Sequence, residues 1–322
     1  TRYIGDWSSD VCSSDLVTST RQEIRVQYER YSHFHPEMAE VIPPGVDTTS
    51  FHPQVCHAGE DGEIAELFSP FLREPDRPCF LAVCRPDRRK NIPALIDAFG
   101  SSPLLREKAN LLLVLGNREG FHPLERSQRE EWHHVLEAID RQDLYGQVAY
   151  PKHHSRSQVP AIYRWAAARR GVFVNPALTE PFGLTLIEAA ACGLPVVATN
   201  DGGPIDILGR CRNGLLVDVS SSEALRTTLE KALAADAPWD QWRQQGLEAV
   251  QQAYSWEAHA SRYLKVARPL CAAAQLESTA NLKANSLRGR VSAPTRLRQA
   301  RPAGQSHAHA PHGPRFWLTK QQ

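Results

Sequence analysis

Residues 171–199 read GVFVNPALTEPFGLTLIEAAACGLPVVAT. Gly171–Asn175 is a short aliphatic run without polar alternation, the pattern of a strand covered on both faces. Pro181 and Gly183 then force a loop. Leu184–Ala191 has helical periodicity, and Pro195–Thr199 is a second aliphatic run. A strand, a helix and a strand at these lengths make a βαβ unit, which implies a parallel sheet.

The same alternation extends outward in both directions. Further aliphatic runs fall at Cys79–Cys84, Leu111–Gly116, Gln147–Tyr150 and Gly214–Val217. Helical patterns occupy Ile92–Phe99, Arg126–Asp140, Gln158–Ala168, Pro204–Leu208 and Ser222–Ala234. Two more, about Pro238–Ala253 and Trp256–Val266, close the ordered region. The fold class expected is α/β, a Rossmann-like parallel sheet with helices on both faces.

The chain has 322 residues, 42% hydrophobic and 23% charged, enough for a globular core. Its formal net charge of +1 argues against a general polyanion binder, so no nucleic-acid partner is expected. Residues 272–322 carry eight Lys and Arg against one acidic residue, so the body before them is mildly acidic. Residues 271–322 lack periodicity and are rich in Ala, Arg, Pro, Ser and Gln, a composition that predicts a disordered basic tail. His307, His309 and His312 lie in that tail, where solvation is favoured over a metal site. Residues 1–16 contain the echo WSSDV then CSSDL and no core periodicity, and they read as a translated adaptor leader. The folded domain is therefore expected over 17–270. Seven cysteines occur without a CxxC pair, which fits reduced core thiols in a cytoplasmic protein. No apolar run reaches the roughly 18 residues of a membrane span.

Open parallel sheets bind ligands beyond the carboxyl ends of their strands, so the segments that follow each strand are where a site belongs. After Cys79–Cys84 comes Arg85-Pro86-Asp87-Arg88-Arg89-Lys90-Asn91. Arg85 and Lys90 suit a diphosphate, one as a fork and the other as a point charge. After Leu111–Gly116, the Gly116-Asn117 turn lets backbone approach a ligand. After Gln147–Tyr150, Lys152 heads Lys152-His153-His154, a helix-start or ligand-edge segment and not a two-His metal site. After Gly171–Asn175 comes Glu180-Pro-Phe-Gly-Leu-Thr-Leu-Ile-Glu188. The first amides of the helix opened by Leu184 have no internal partner and favour a phosphate oxygen. Glu188, one turn inside, can accept hydrogen bonds from ribose hydroxyls, and Glu180 can reach a sugar beyond the phosphates. The two carboxylates also allow a glycoside hydrolase, with one as acid and the other as nucleophile. The cation loop beside a phosphate-ready helix fits a nucleotide better.

This E-x7-E element, with its Arg and Lys about a hundred residues upstream, resembles the donor-binding, C-terminal half of GT-B-type retaining glycosyltransferases of the sucrose and glycogen synthase group. Within that group, Thr18-Ser-Thr-Arg-Gln-Glu-Ile24, Ile42-Pro-Pro-Gly-Val46, Tyr150-Pro-Lys-His-His154, Asn175-Pro-Ala177 and Asn200-Asp-Gly-Gly-Pro-Ile-Asp-Ile207 closely resemble stretches of the sucrose-phosphate synthase family. The resemblance implies hexosyl transfer from UDP-glucose to fructose 6-phosphate with retention, giving sucrose 6-phosphate. It assigns catalysis to Arg85, Lys90 and Glu180. Leu184 and Thr185 would meet the phosphates, Glu188 the ribose, and Phe182 and Gly183, with Glu180, the hexose. It implies no metal and no protein nucleophile, a phosphate oxygen assisting the incoming hydroxyl. The family's acceptor-binding domain precedes the Thr18-Ser-Thr segment and is not among these residues, so this chain is expected to bind donor without turnover. A GDP-mannose donor and a non-catalytic nucleotide-sugar module remain as alternatives.

Overall fold

The structure is a computed structural model. It describes residues 16–269 and 271, except 33, 37, 38 and 55–57, and leaves the side chains of 58–60 undescribed. The expected leader (1–16, but for Leu16) and tail (271–322, but for Cys271) therefore lie outside the described residues. The chain divides into two units, Thr1–Leu270 and Cys271–Gln322, and the described strands and helices all belong to the first.

The strands are β1 (Leu16–Thr18), β2 (Ala39–Val41), β3 (Cys79–Val83), β4 (Asn110–Val114), β5 (Val148–Ala149), β6 (Val172–Asn175), β7 (Val196–Thr199) and β8 (Gly214–Val217). The helices are α1 (Arg21–Glu23), α2 (Ala58–Phe68), α3 (Ile92–Gly100), α4 (Pro103–Lys108), α5 (Arg126–Arg141), α6 (Gln158–Ala168), α7 (Leu184–Ala191), α8 (Gly203–Cys211), α9 (Ser222–Leu233), α10 (Trp239–Ala249) and α11 (256–269).

Strands β3–β8 form one six-stranded parallel sheet in the order β5-β4-β3-β6-β7-β8. Alternate residues of β3–β7 enter opposite cores, which is why these strands read as unbroken apolar runs. Cys79, Leu81, Leu112, Val114, Phe173 and Val196 pack on one face with side chains of α2, α6, α7 and α8. Phe80, Ala82, Leu111, Leu113, Val172 and Val197 pack on the other with α3, α5 and α9. Burial pushes the Cys79 and Cys211 thiols up to about 12, so both behave as small apolar groups.

The chain builds outward from β3 through β4 to β5, then returns to add β6 on the other side of β3. That reversal opens a crevice beyond the carboxyl ends of β3 and β6, where such sheets take their ligands. β1 and β2 form a separate two-stranded parallel sheet. It brings α1 against the start of α8: the Arg21 amide donates to Asp206 Oδ2 at 2.9 Å and Gln22 Nε2 donates to Asp201 Oδ1 at 2.5 Å.

Candidate donor site at the switch point

The loop after β3 is held by its own side chains. Asp87 caps the short 3-10 turn Arg88–Lys90, Oδ1 accepting from the Arg89 amide at 2.9 Å. The Arg89 guanidinium closes on the same carboxylate, at 3.2 and 2.9 Å, and these bonds pull the Asp87 carboxyl down to about 2. Arg89 is thereby occupied. Arg85 is exposed and makes no hydrogen bond or ion pair among the described residues. Lys90 turns inward, and Nζ donates to Glu180 Oε2 at 2.7 Å. Beneath this pair lies Cys84, whose thiol burial pushes up to about 12, leaving a neutral floor.

The loop after β6 meets the cation loop twice. The Leu178 amide donates to the Arg89 carbonyl at 2.8 Å, and Glu180 receives Lys90. Glu180 is 9% exposed, and its Oε2 also accepts from Asn175 Nδ2 at 2.9 Å. Its backbone is clamped from the side of β7: the Glu180 amide donates to the Asp201 carbonyl at 3.2 Å, and its carbonyl accepts from Gly203 at 2.8 Å. Gly202 lies so close that a Cβ there would stand 1.9 Å from the Glu180 carbonyl oxygen. The Gly-Gly pair therefore shapes the loop that carries the carboxylate.

Gly183 opens α7 with φ of 103°, a conformation that favours glycine. No side chain caps the first turn of α7, and Leu184 there is 48% exposed. Thr185 is half-buried, as is Phe182, which packs on the core face shared with Leu186 and Ile207. Glu188 lies one turn further in. Burial raises its pKa, opposed by the Tyr163 hydroxyl that donates to Oε2 at 3.3 Å.

Two strands away, the ends of β4 and β5 are fastened together. Gly116 turns with φ of 73°. The Asn117 amide is spent on His154, donating to its carbonyl and accepting from its N–H, both at 2.8 Å. Arg118 donates to the Pro151 and Tyr150 carbonyls and lies 3.9 Å above the Trp132 ring. Lys152 is exposed on this rim. His153 and His154 do not act together: His153 faces Glu119 at 3.9 Å, while the half-buried His154 ring has Nδ1 sealed without a partner and its pKa lowered by burial.

The structure thus gathers Arg85, Lys90, Glu180, Phe182, Gly183, Leu184, Thr185 and Glu188 on the loops of the β3–β6 crevice and the helix that opens there. Gly116, Asn117 and Lys152 stand further along the same sheet end. Three partners escaped the reading of the residues: Asn175 and Tyr163, which donate to the two glutamates, and Asp201, which ties the loop of Glu180 to α1. Asn175 had a signal in its place at the carboxyl end of a strand. Tyr163 had none, because it reads as one more core residue of α6. Among the described residues no group of three or more His, Cys, Asp or Glu is arranged to hold a metal ion, and no helix is long and apolar enough to cross a membrane.

Residues 63–249 match the family described as glycosyl transferases group 1. The chain is 43% identical over 283 residues to a probable sucrose-phosphate synthase 1 of Oryza sativa subsp. indica, covering 77% of this chain and 26% of the rice protein. It thus spans about a quarter of the length of the curated relatives it matches. Among solved structures, the sucrose-phosphate synthase from Thermosynechococcus elongatus matches with a TM-score of 0.64 at 29% identity, covering 80% of this chain and 59% of that one. Anabaena HepE in complex with UDP-glucose matches with a TM-score of 0.63 at 16% identity, covering 81% and 65%, a likeness of fold. The α/β architecture expected from the sequence is the one shared with GT-B glycosyltransferase structures.

Proposed function

The chain belongs to the group 1 glycosyl transferases, and from that premise we propose that the switch-point crevice binds UDP-glucose for retaining transfer of glucose to fructose 6-phosphate, giving sucrose 6-phosphate. The observation that carries the donor site is the Lys90–Glu180 pair, which joins the loops after β3 and β6 beside the uncapped start of α7. A cation, an exposed guanidinium and free helix amides in one place suit a diphosphate. A carboxylate just beyond them suits the hydroxyls of the attached hexose. The acceptor and the choice of uridine rest on the 43% identity to sucrose-phosphate synthases.

Arg85 and Lys90 would carry the charge that builds on the leaving UDP, work done elsewhere by a bound cation. Leu184 and Thr185 would meet its oxygens, and Glu188 the ribose. Phe182 and Gly183 would wall the hexose. Gly116 and Lys152 would edge the nucleotide, and Asn117 would order that edge by holding His154. Both donors to Glu180 end on Oε2, which leaves Oε1 to orient the sugar, and the family resemblance assigns no protein nucleophile. Core thiols such as Cys79 and Cys211 are the state a reducing compartment maintains, which supports a cytoplasmic setting.

Calorimetry with UDP tests the site. Arg85→Ala, Lys90→Ala and Glu188→Ala are each expected to weaken binding roughly ten- to a hundredfold, since charge-assisted bonds contribute about 1.5–3 kcal/mol. Glu188→Ala should spare inorganic pyrophosphate, which has no ribose. Unchanged affinity in all three variants would remove the assignment. Titration with GDP-mannose beside UDP-glucose decides the donor.

A further inference from the structure

We infer that Asn175 is a positioning residue for the sugar: it holds the Glu180 carboxylate in place while Lys90 serves the diphosphate, and so keeps the second carboxylate oxygen turned to the hexose. The inference rests on the proposed donor site and adds to it the group that orients its carboxylate.

Asn175 ends β6, is 6% exposed, and is paired in register with Ala198 of β7, so its Cβ has a fixed direction. The orientation of its amide is set by its two partners. Oδ1 accepts from the Ala177 amide at 3.1 Å, and Nδ2 donates to Glu180 Oε2 at 2.9 Å. Turning the amide over would set its oxygen against a carboxylate and its NH2 against an N–H, two repulsive contacts. Glu180 Oε2 therefore has two donors, Asn175 and Lys90, while Oε1 accepts from none among the described residues.

The two donors differ in what a ligand does to them. Lys90 is a flexible ammonium, and a diphosphate competes for it directly. Asn175 is neutral, short and anchored in the sheet, so phosphate does not draw it away. When Lys90 turns to the phosphates, Asn175 is the remaining bond that keeps Oε2 inward and Oε1 outward. A merely structural asparagine would be felt in stability and equally by every ligand. A positioning asparagine is felt by the ligand that carries a hexose.

The test uses the full chain and calorimetry with two probes, UDP and UDP-glucose. Asn175→Ala is expected to weaken UDP-glucose about tenfold, as loss of a bond to a charged group should, and to leave UDP within about twofold. Asn175→Asp keeps the acceptor for the Ala177 amide but sets a second carboxylate against Glu180. Its affinity for UDP-glucose, relative to wild type at the same pH, should be low at pH 8. It should recover on acidification, as one carboxyl takes a proton and donates to the other. An unchanged ratio of the two affinities in Asn175→Ala overturns the inference and leaves the donor site standing. Equal loss of both ligands in both variants, with a lowered melting temperature, marks a structural residue and overturns it too. Failure of the wild type to bind UDP overturns the donor site itself and this inference with it.

Discussion

Glu131 is buried on the inner face of α5, 3% exposed beside Trp132, and its Oε1 has no hydrogen-bond partner. Burial raises its pKa, with His134, 3.9 Å from the other oxygen, only partly opposing. The folded state thus holds this proton more tightly than the unfolded chain. The penalty is absent below the ordinary carboxylate value of 4.5 and grows as pH rises from there toward the raised value. Glu131→Gln removes the charge that burial penalises and is therefore expected to stabilise the protein at pH 7–8 by about 1 kcal/mol, the low end of the cost of leaving a buried charged group without partners. The gain should vanish near pH 4, and urea midpoints measured across that range check both the sign and the window. Nothing in Arg129-Glu130-Glu131-Trp132 marks the second glutamate as the buried one, since spacing gives a helix face only to within a residue. Glu180 and Glu188 were legible because Pro181 and Gly183 fix where their loop ends and their helix begins. Their donors were not, since Asn175 and Tyr163 reach them only through the fold.

Among the elements, those with a period and a punctuation mark were read closely. α6 and α7 begin and end where the pattern places them. α8 was expected from Pro204 to Leu208 and runs from Gly203 to Cys211, because the glycine in its last turn reads as a stop. The helix expected to continue to Ala253 instead ends at Ala249 and passes into a π-helical turn over Val250–Tyr254. α4 went unread although its marks are present: Ser102 Oγ accepts from the Leu105 amide at 3.3 Å and Pro103 stands at its first turn. Six residues are too few to show a period. α2, with Gly59 and Gly62 and a weak apolar stripe, is helical because its face packs against α6. The junction of β7 and α8 carries the clearest test at this scale. A side chain at Gly202 meets backbone 1.9 Å away and adopts a φ of 105°. Gly202→Ala should cost on the order of 3 kcal/mol from overpacking and strain together. It should also displace the Glu180 loop, so thermal melting and UDP-glucose titration are expected to fall together.

For the molecule as a whole, alternation of strands and helices showed a parallel sheet but not its order. The neighbours of β3 are decided by packing between segments far apart in sequence, and no local pattern records that β6 rather than β5 lies beside it. The acceptor is the other matter of this scale. A polypeptide of these 322 residues is expected to bind UDP-glucose saturably, without Mg²⁺, and to release UDP at the background rate when fructose 6-phosphate is added. Holding the acceptor hydroxyl at the anomeric carbon can supply about 7–11 kcal/mol of the barrier. In the proposed site Arg85 and Lys90 would serve the donor diphosphate, so an acceptor phosphate would need other cations. UDP release checks this, and turnover that disappears in Glu180→Ala would place the acceptor site within these residues. The reversal between β3 and β6 has a last consequence, for the chain while it is being made. β4 can pair with β3 soon after both emerge, but the other edge of β3 waits for β6, and the two sides of the crevice, Lys90 and Glu180, lie 90 residues apart. At roughly 5–20 residues per second, the ribosome leaves one edge of β3 open for about 5–20 s. That edge is apolar on both faces and has unpaired backbone groups, the kind of surface that recruits a second nascent chain or a chaperone.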